Sequence, residues 1–239
     1  MPIELSPGDV ISYMQMCSAV GVTLQRGMNY RLCNPDSLVL MSRRDGAPYA
    51  DEIDESGRVL TYEGHDCPKT SSCPDPKRVD QPERNPGGTL TQNGLFAESV
   101  KRFKERISPP EKVRVFEKIR EGIWAYNGIF ELVDCLSDET TGRRIFKFKL
   151  RLVHEDDHIF SGAQRPATGD DDDRIIPSWV KVEVWKRDKG MCRISNCGAK
   201  TRLHFDHIIP YSKGGSSKDP NNIQILCDRH NLAKRDRIE

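Results

Sequence analysis

Four residues near the C-terminus have the types and spacing of metal ligands. Cys192 and Cys197 form a C-x4-C pair, and Cys227 with His230 forms a C-x2-H pair whose cysteine lies 30 residues beyond Cys197. Two such pairs of thiolate and imidazole donors are what a tetrahedral Zn²⁺ ion takes, and a segment of about 60 residues rarely buries enough apolar surface to fold without a staple. Between the pairs stand Asp206, His207 and Asn222, and Asn231 follows the second pair. An imidazole with an unperturbed pKa near 6.5 can take a proton from water near neutral pH. The oxygens of Asp206 and Asn231 suit a hard divalent cation, Mg²⁺ or Mn²⁺. Phosphodiester hydrolysis needs both: an activated water, and a cation to neutralise charge on the scissile phosphate and leaving oxygen. His230 could in principle ligate this second cation, but its C-x2-H spacing assigns it to the zinc set and leaves Asn231 for the other metal. His204, two residues before Asp206 and on the same strand face, reads as structural. Lys234 and Arg235 could reach a phosphate.

The elements that must position these groups can be read around them. Ser178 is a plausible cap for a short helix, WVKVEVWKRDKG, that Gly190 stops. LHFDHIIPYSKGG is a strand ending at Asp206 and His207 followed by a Pro and Gly loop, and NNIQILCDRHNLAKRDR is a strand running into a helix. The result is a β-β-α pattern. Upstream, RRIFKFKLRL alternates Phe146, Phe148 and Leu150 with Lys147, Lys149 and Arg151, as a half-buried strand does. Helical spacing recurs at Leu95, Phe96, Val100 and Phe103, while residues 66–88 are too rich in Pro, Ser and Gly for regular structure and are expected to form a long loop. His65, Cys67 and Cys73 supply only three ligands for another zinc site; Cys17, Cys33 and Cys135 read as buried small hydrophobes.

The chain has 239 residues, 36% apolar and 31% charged, with a net charge of +1, which fits two modest soluble domains. Residues 176–239 nevertheless carry 13 Lys and Arg against 7 Asp and Glu, a surplus that fits a phosphate-binding face or simply a solvated surface. The break falls in HEDDHIFSGAQRPATGDDDD, an acidic stretch expected to act as a flexible linker over 155–175, between domains at 1–154 and 176–239. The apolar stretch from Val10 to Leu24 follows Glu4 and Asp9, the wrong charge for a secretion signal, and no run has the roughly 18 apolar residues of a membrane span. A cytoplasmic setting without membrane contact is expected, where eight cysteines serve as thiols or metal ligands rather than disulfides.

DH at 206–207, NNIQ at 221–224 and HN at 230–231 stand at the spacing of the HNH, or ββα-metal, nuclease family, and the segment from about Ile176 to Glu239 resembles that family throughout. The resemblance implies that His207 is the general base, that Asp206 and Asn231 hold the catalytic metal, and that Asn222 braces the loop and orients the base. It also implies products with 5′-phosphate and 3′-hydroxyl ends.

Four further segments resemble the SRA domain, which binds modified cytosine by flipping it out of the duplex: LQRGMNYRL at 24–32, PYADEIDESGRVLTYEGHD at 48–66, VDQPERNPGGTLTQNGLF at 79–96, and WAYNGIFELVDCLSDETTGRRIFKFKLRL at 124–152. A flipped-base pocket needs aromatic faces to stack on and an acceptor for the base's amino group. Tyr49 and Tyr62 are the expected stacking pair, with Asp51 and Glu52 the candidate acceptors; counting from Tyr49 puts Glu52 where the family has Asp, and Glu63 follows Tyr62 where a small residue is common. By the same resemblance Gln92 and Asn93 would fill the vacated stack. The expected fold is α+β, a β-rich SRA-like barrel followed by a small zinc-stabilised ββα-metal domain. The function implied is that of a prokaryotic modification-dependent endonuclease acting on double-stranded DNA with 5-methylcytosine or 5-hydroxymethylcytosine, as a possible homodimer. A nuclease indifferent to modification and a non-catalytic zinc-stabilised reader are the alternatives.

Overall fold

The computed structural model describes residues 5–24, 27–32, 35–44, 46–54, 57–139, 142–153, 175–235 and 237–238. The N-terminal part begins with strand β1 (Asp9–Ser12) and helix α1 (Tyr13–Val20), followed by β2 (Met28–Asn29), β3 (Ser37–Met41), β4 (Glu52–Ile53) and β5 (Val59–Glu63). Helix α2 (Gln92–Lys104) precedes three long strands, β6 (Glu111–Arg120), β7 (Ile123–Asp138) and β8 (Ile145–Leu152). The C-terminal part contributes α3 (Ser178–Arg187), β9 (Leu203–His207), β10 (Ile223–Cys227) and α4 (Asp228–Lys234). The acidic segment at 155–175 lies outside the described residues apart from Ile175.

One mixed sheet of ten strands organises the molecule, in the order β10-β9-β1-β7-β6-β3-β2, with β8 paired to β7, β5 to β8 and β4 to β5. Strand β7 can serve two neighbourhoods because it is 16 residues long: its first half pairs with β1 and β6, its second with β8. The β6–β7 register slips so that Val115 faces Gly128 while Phe116 faces Tyr126, which leaves Asn127 as the extra residue of a bulge. Gly128 sits there at φ +104°, a backbone region that favours glycine, and the bulge re-aims the Asn127 amide into the interior. In β8 the alternation holds as the sequence predicts, with Phe146, Phe148 and Leu150 buried and Lys149 and Arg151 exposed. Helix α2 is capped by Thr91, whose hydroxyl accepts from Gly94 N–H, and it lays Phe96 and Val100 on a core that includes Tyr62, Val113, Phe130 and Phe148.

The C-terminal strands do not form a separate sheet. Strand β9 pairs antiparallel with β1, Asp9 opposite His204 and Val10 opposite Leu203, and β10 pairs with the other edge of β9. The core beneath is shared too: Val10, Ile119 and Ala125 pack in one cluster with Val180, Val184, Leu203, Phe205 and Ile225. Helix α3 starts one residue earlier than its sequence suggests, with Pro177 at the cap position, and Ser178 is the first helical residue, its hydroxyl accepting from Arg43 Nη1 at 3.1 Å. The inward face of α3 carries Lys181, 2% exposed, whose ammonium donates to Glu117 Oε2 at 3.0 Å and Asn127 Oδ1 at 2.7 Å. Burial alone would raise the Glu117 carboxyl; the Lys181 charge and the hydrogen bonds of Ser178, Asn127 and Lys181 more than reverse this and hold it below the usual range. This ion pair joins the two halves of the chain at the bulge.

Candidate active site and base pocket

The alternation of β9 sorts its side chains. Leu203 and Phe205 enter the shared core, while His204 and Asp206 lie on the opposite face and His207 ends the strand opposite Ile223. Asp206 faces Gln224 across the ladder, and Gln224 Nε2 donates to Asp206 Oδ2 at 3.2 Å. Lys234, 1% exposed at the end of α4, stands 3.1 Å from the same carboxylate oxygen and donates to the His207 carbonyl at 2.7 Å. The expectation that Lys234 reaches a phosphate is therefore corrected. Its ammonium is buried, and it binds together the backbone of one candidate catalytic residue and the side chain of the other. Arg235 remains exposed at the helix end.

His207 Nε2 is 2.8 Å from the hydroxyl of the fully buried Ser217. Asn222 holds the intervening loop: its Oδ1 accepts from Ile209 N–H at 2.8 Å, and its Nδ2 donates to Ile209 O at 3.2 Å and to Ser216 O at 3.0 Å. The loop is so tight at Gly215 that a Cβ there would lie 1.8 Å from the Ile209 carbonyl. Asn231 lies half-buried on α4, three residues before Lys234 and so on the same side of the helix. Asp206 and Asn231 are hard oxygen donors, the kind that Mg²⁺ or Mn²⁺ takes. His204 is structural: Nδ1 is 2.5 Å from Asp9 Oδ1 on β1, and Nε2 bonds Asp228 at the start of α4. Burial lowers its pKa, but these two carboxylates outweigh that and raise it.

Cys192, Cys197, Cys227 and His230 converge, with one ligand atom from each lying within 4.8 Å of all the others. Cys192 Sγ is 3.2 Å from His230 Nδ1, Cys227 Sγ is 3.4 Å from the same nitrogen, and Cys197 Sγ is 3.8 Å from Cys227 Sγ. A tetrahedron with ligand bonds of about 2.3 Å has edges of about 3.8 Å, so the donor set fits zinc in geometry as well as in chemistry. His65, Cys67 and Cys73 form no such cluster among the described residues, although the two sulfurs are 2.7 Å apart. Cys17 and Cys135 are half-buried against apolar clusters, and Cys33 lies outside the described residues.

In the N-terminal part, Tyr49 and Tyr62 line a cavity of about 540 Å³ together with Asp51, Ser42 and His65. A second cavity of about 620 Å³ shares Ser42, Tyr49 and Asp51 and extends toward Lys77 and Arg143. Of the two candidate acceptors, Asp51 is buried and Glu52 is exposed on β4, lining only the second cavity. The Asp51 oxygens accept from Ser42 N–H at 3.0 Å and Glu63 N–H at 3.1 Å; burial still pushes its carboxyl up to about 6. Burial likewise raises the Tyr62 phenol well above its ordinary value. Glu63, which departs from the small residue common after the second tyrosine in SRA domains, is buried, with Ala50 N–H at 3.0 Å and Lys147 Nζ at 3.1 Å. His65, not named among the expected pocket residues, stacks on Tyr49 with ring centroids 5.2 Å apart and touches the Tyr62 hydroxyl at 3.0 Å.

Gln92 and Asn93 both bond to neighbouring backbone. Asn93 is 2% exposed, accepts from His65 N–H at 2.8 Å and donates to His65 O at 2.8 Å, while Gln92 Oε1 accepts from Tyr30 N–H at 2.7 Å. Both amides fix pocket loops. The only local hint was their place at the start of an amphipathic helix, where an inward-facing Asn turns toward the backbone of a neighbouring loop.

Residues 192–237 match the model of the HNH endonuclease family. No curated protein matches the chain. Among solved structures, the SUVH5 SRA domain in complex with hemimethylated CG DNA is 22% identical, with a TM-score of 0.45 over 64% of this chain and 92% of that one. The same domain bound to fully hydroxymethylated CG DNA is 19% identical, with a TM-score of 0.43 over 64% and 92% of the two chains. A modification-dependent TagI restriction endonuclease is 16% identical, with a TM-score of 0.42 over 97% of this chain and 77% of that one.

Proposed function

We propose that this chain is a modification-dependent DNA endonuclease. Residues 1–154 read 5-methylcytosine or 5-hydroxymethylcytosine flipped from double-stranded DNA, 155–175 connect, and 176–239 cut. The observation that carries the reading is the HNH match over 192–237, inside which Asp206 and His207 are held by Gln224, Lys234 and Ser217 and four candidate zinc ligands converge.

In this reading His207 is the general base. The Ser217 hydroxyl, 2.8 Å from Nε2, orients the imidazole that takes the proton of the attacking water. Lys234 fixes the His207 backbone, and Asn222 fixes the loop that carries Ser217. Asp206 and Asn231 would hold Mg²⁺ or Mn²⁺, which supplies charge neutralisation at the scissile phosphate and leaving oxygen. Cys192, Cys197, Cys227 and His230 would hold a structural Zn²⁺ that keeps α4 against the β9–β10 hairpin. On the reader side, Tyr49 and Tyr62 stack on the base and Asp51 accepts from its amino group, with Glu52 at the rim. The products carry 5′-phosphate and 3′-hydroxyl ends. One module attacks one strand, so a double-strand break takes two copies, as a homodimer or in two visits. A prokaryotic cytoplasmic setting goes with such a role; no helix among the described residues is long and apolar enough to cross a membrane.

His207→Ala tests the catalytic assignment. Digestion of methylated plasmid should be lost while zinc content and duplex binding persist; undiminished digestion would contradict it.

A further inference from the structure

Strand β10 reads IQILC and is buried along its whole length, yet its second residue is an amide. Gln224 is 4% exposed between Ile223 and Ile225. A buried polar group left unbonded is costly, and an apolar side chain would fill the same place without needing a partner. Lys234 on α4 raises the same question more sharply, because a buried ammonium needs its partners more than an amide does.

The two groups converge on one atom. Gln224 Nε2 lies 3.2 Å and Lys234 Nζ 3.1 Å from Oδ2 of Asp206, and neither bonds Oδ1. A carboxylate oxygen has two lone-pair sites, so the two donors fill Oδ2 and leave Oδ1 for another partner. They come from different elements: Gln224 stands directly across the β9–β10 ladder from Asp206, and Lys234 ends α4. The plane of the carboxylate is thus fixed from two directions. Folding alone does not require this, since buried ionic groups replaced by apolar ones of similar volume often leave stability unchanged or raise it.

We propose, resting on the assignment of Asp206 and Asn231 to a divalent cation, that Gln224 is a positioning residue of the cutter. With Lys234 it occupies Oδ2, so that Asp206 offers the cation Oδ1 alone. Single-oxygen ligation suits Mg²⁺ and Mn²⁺ sites: Mg²⁺ demands near-octahedral geometry and keeps several waters, whereas Ca²⁺ readily takes both oxygens of a carboxylate. Gln224 acts only through Asp206.

The test is Gln224→Met in the full, zinc-loaded, DNA-free chain, with Gln224→Leu as a second apolar replacement. Mn²⁺ binding is measured by electron paramagnetic resonance, together with the melting temperature and zinc content, and Asp206→Ala identifies which Mn²⁺ belongs to the site. Losing the amide should raise the Kd of that Mn²⁺ about 10–100-fold, the usual effect of removing a hydrogen bond to a metal ligand, while melting temperature and zinc content hold. An unchanged Kd in both variants would overturn the proposal. So would a joint fall in melting temperature, zinc content and Mn²⁺ binding in both, which is the mark of a merely structural residue. If Asp206→Ala binds Mn²⁺ as well as wild type, the metal assignment itself fails, and the role of Gln224 with it.

Discussion

Single residues carry the chemistry, and their surroundings make two of them testable. In the proposed reading Asp51 accepts from the base's amino group and does so more strongly when ionised; burial, reinforced by Glu63 and opposed by Lys147 and by the N–H groups of Ser42 and Glu63, lifts its carboxyl to about 6. Binding of a methylated duplex should therefore strengthen as pH rises through about 6, and Asp51→Asn should flatten that profile. Stability runs the other way. A carboxyl raised from 3.8 to about 6 keeps its proton in the fold where the unfolded chain has lost it, so the free protein loses stability as pH rises across that window. At the cutter, Lys234→Met should lower cleavage by about 100-fold, the effect of letting a catalytic group drift by an ångström, with zinc content unchanged. Retained cleavage would show that the Lys234 contacts to Asp206 and His207 are incidental. The four converging metal-ligand candidates were legible because each pair falls at a short spacing within one segment. Lys234 was misjudged because charge was read as exposure, while its partner lies 27 residues away.

At the scale of elements, periodicity was the reliable guide. The two-residue alternation of β8 and the helical spacing of α2 were visible because each buries one face only. The 16-residue β7 was not, because the bulge at Asn127 and Gly128 breaks its alternation midway. The cap of α3 was misplaced by one residue because Pro177 occupies that position without a side-chain bond, while Ser178 turns its hydroxyl to Arg43. The β9–β10–α4 unit is short; its strands pack on the shared core, and the four ligands join its ends. Chelation at neutral pH should remove zinc, at a ratio of about one ion per chain, and melt this unit with loss of cleavage. A protein that keeps its melting temperature without zinc would contradict the structural role.

The whole molecule is joined in a way no local pattern discloses. Strand β1, with only four residues, bridges the two halves by pairing with β7 on one side and β9 on the other, and Asp9 meets His204 across 195 residues. The buried Lys181–Glu117 pair and the shared apolar cluster add to that seam. Removing one member of a buried ion pair typically costs about 3–5 kcal/mol, so Lys181→Met should lower the melting temperature of the whole chain in a single transition. Two separate transitions in the wild-type protein would instead mean that the halves fold independently. The central claim is that one half selects modified cytosine and the other cuts. It is tested most directly by incubating matched unmodified, methylated and hydroxymethylated DNA with the protein and Mg²⁺. The account predicts cleavage of one or both modified substrates and sparing of the unmodified one; equal cleavage of all three would contradict it.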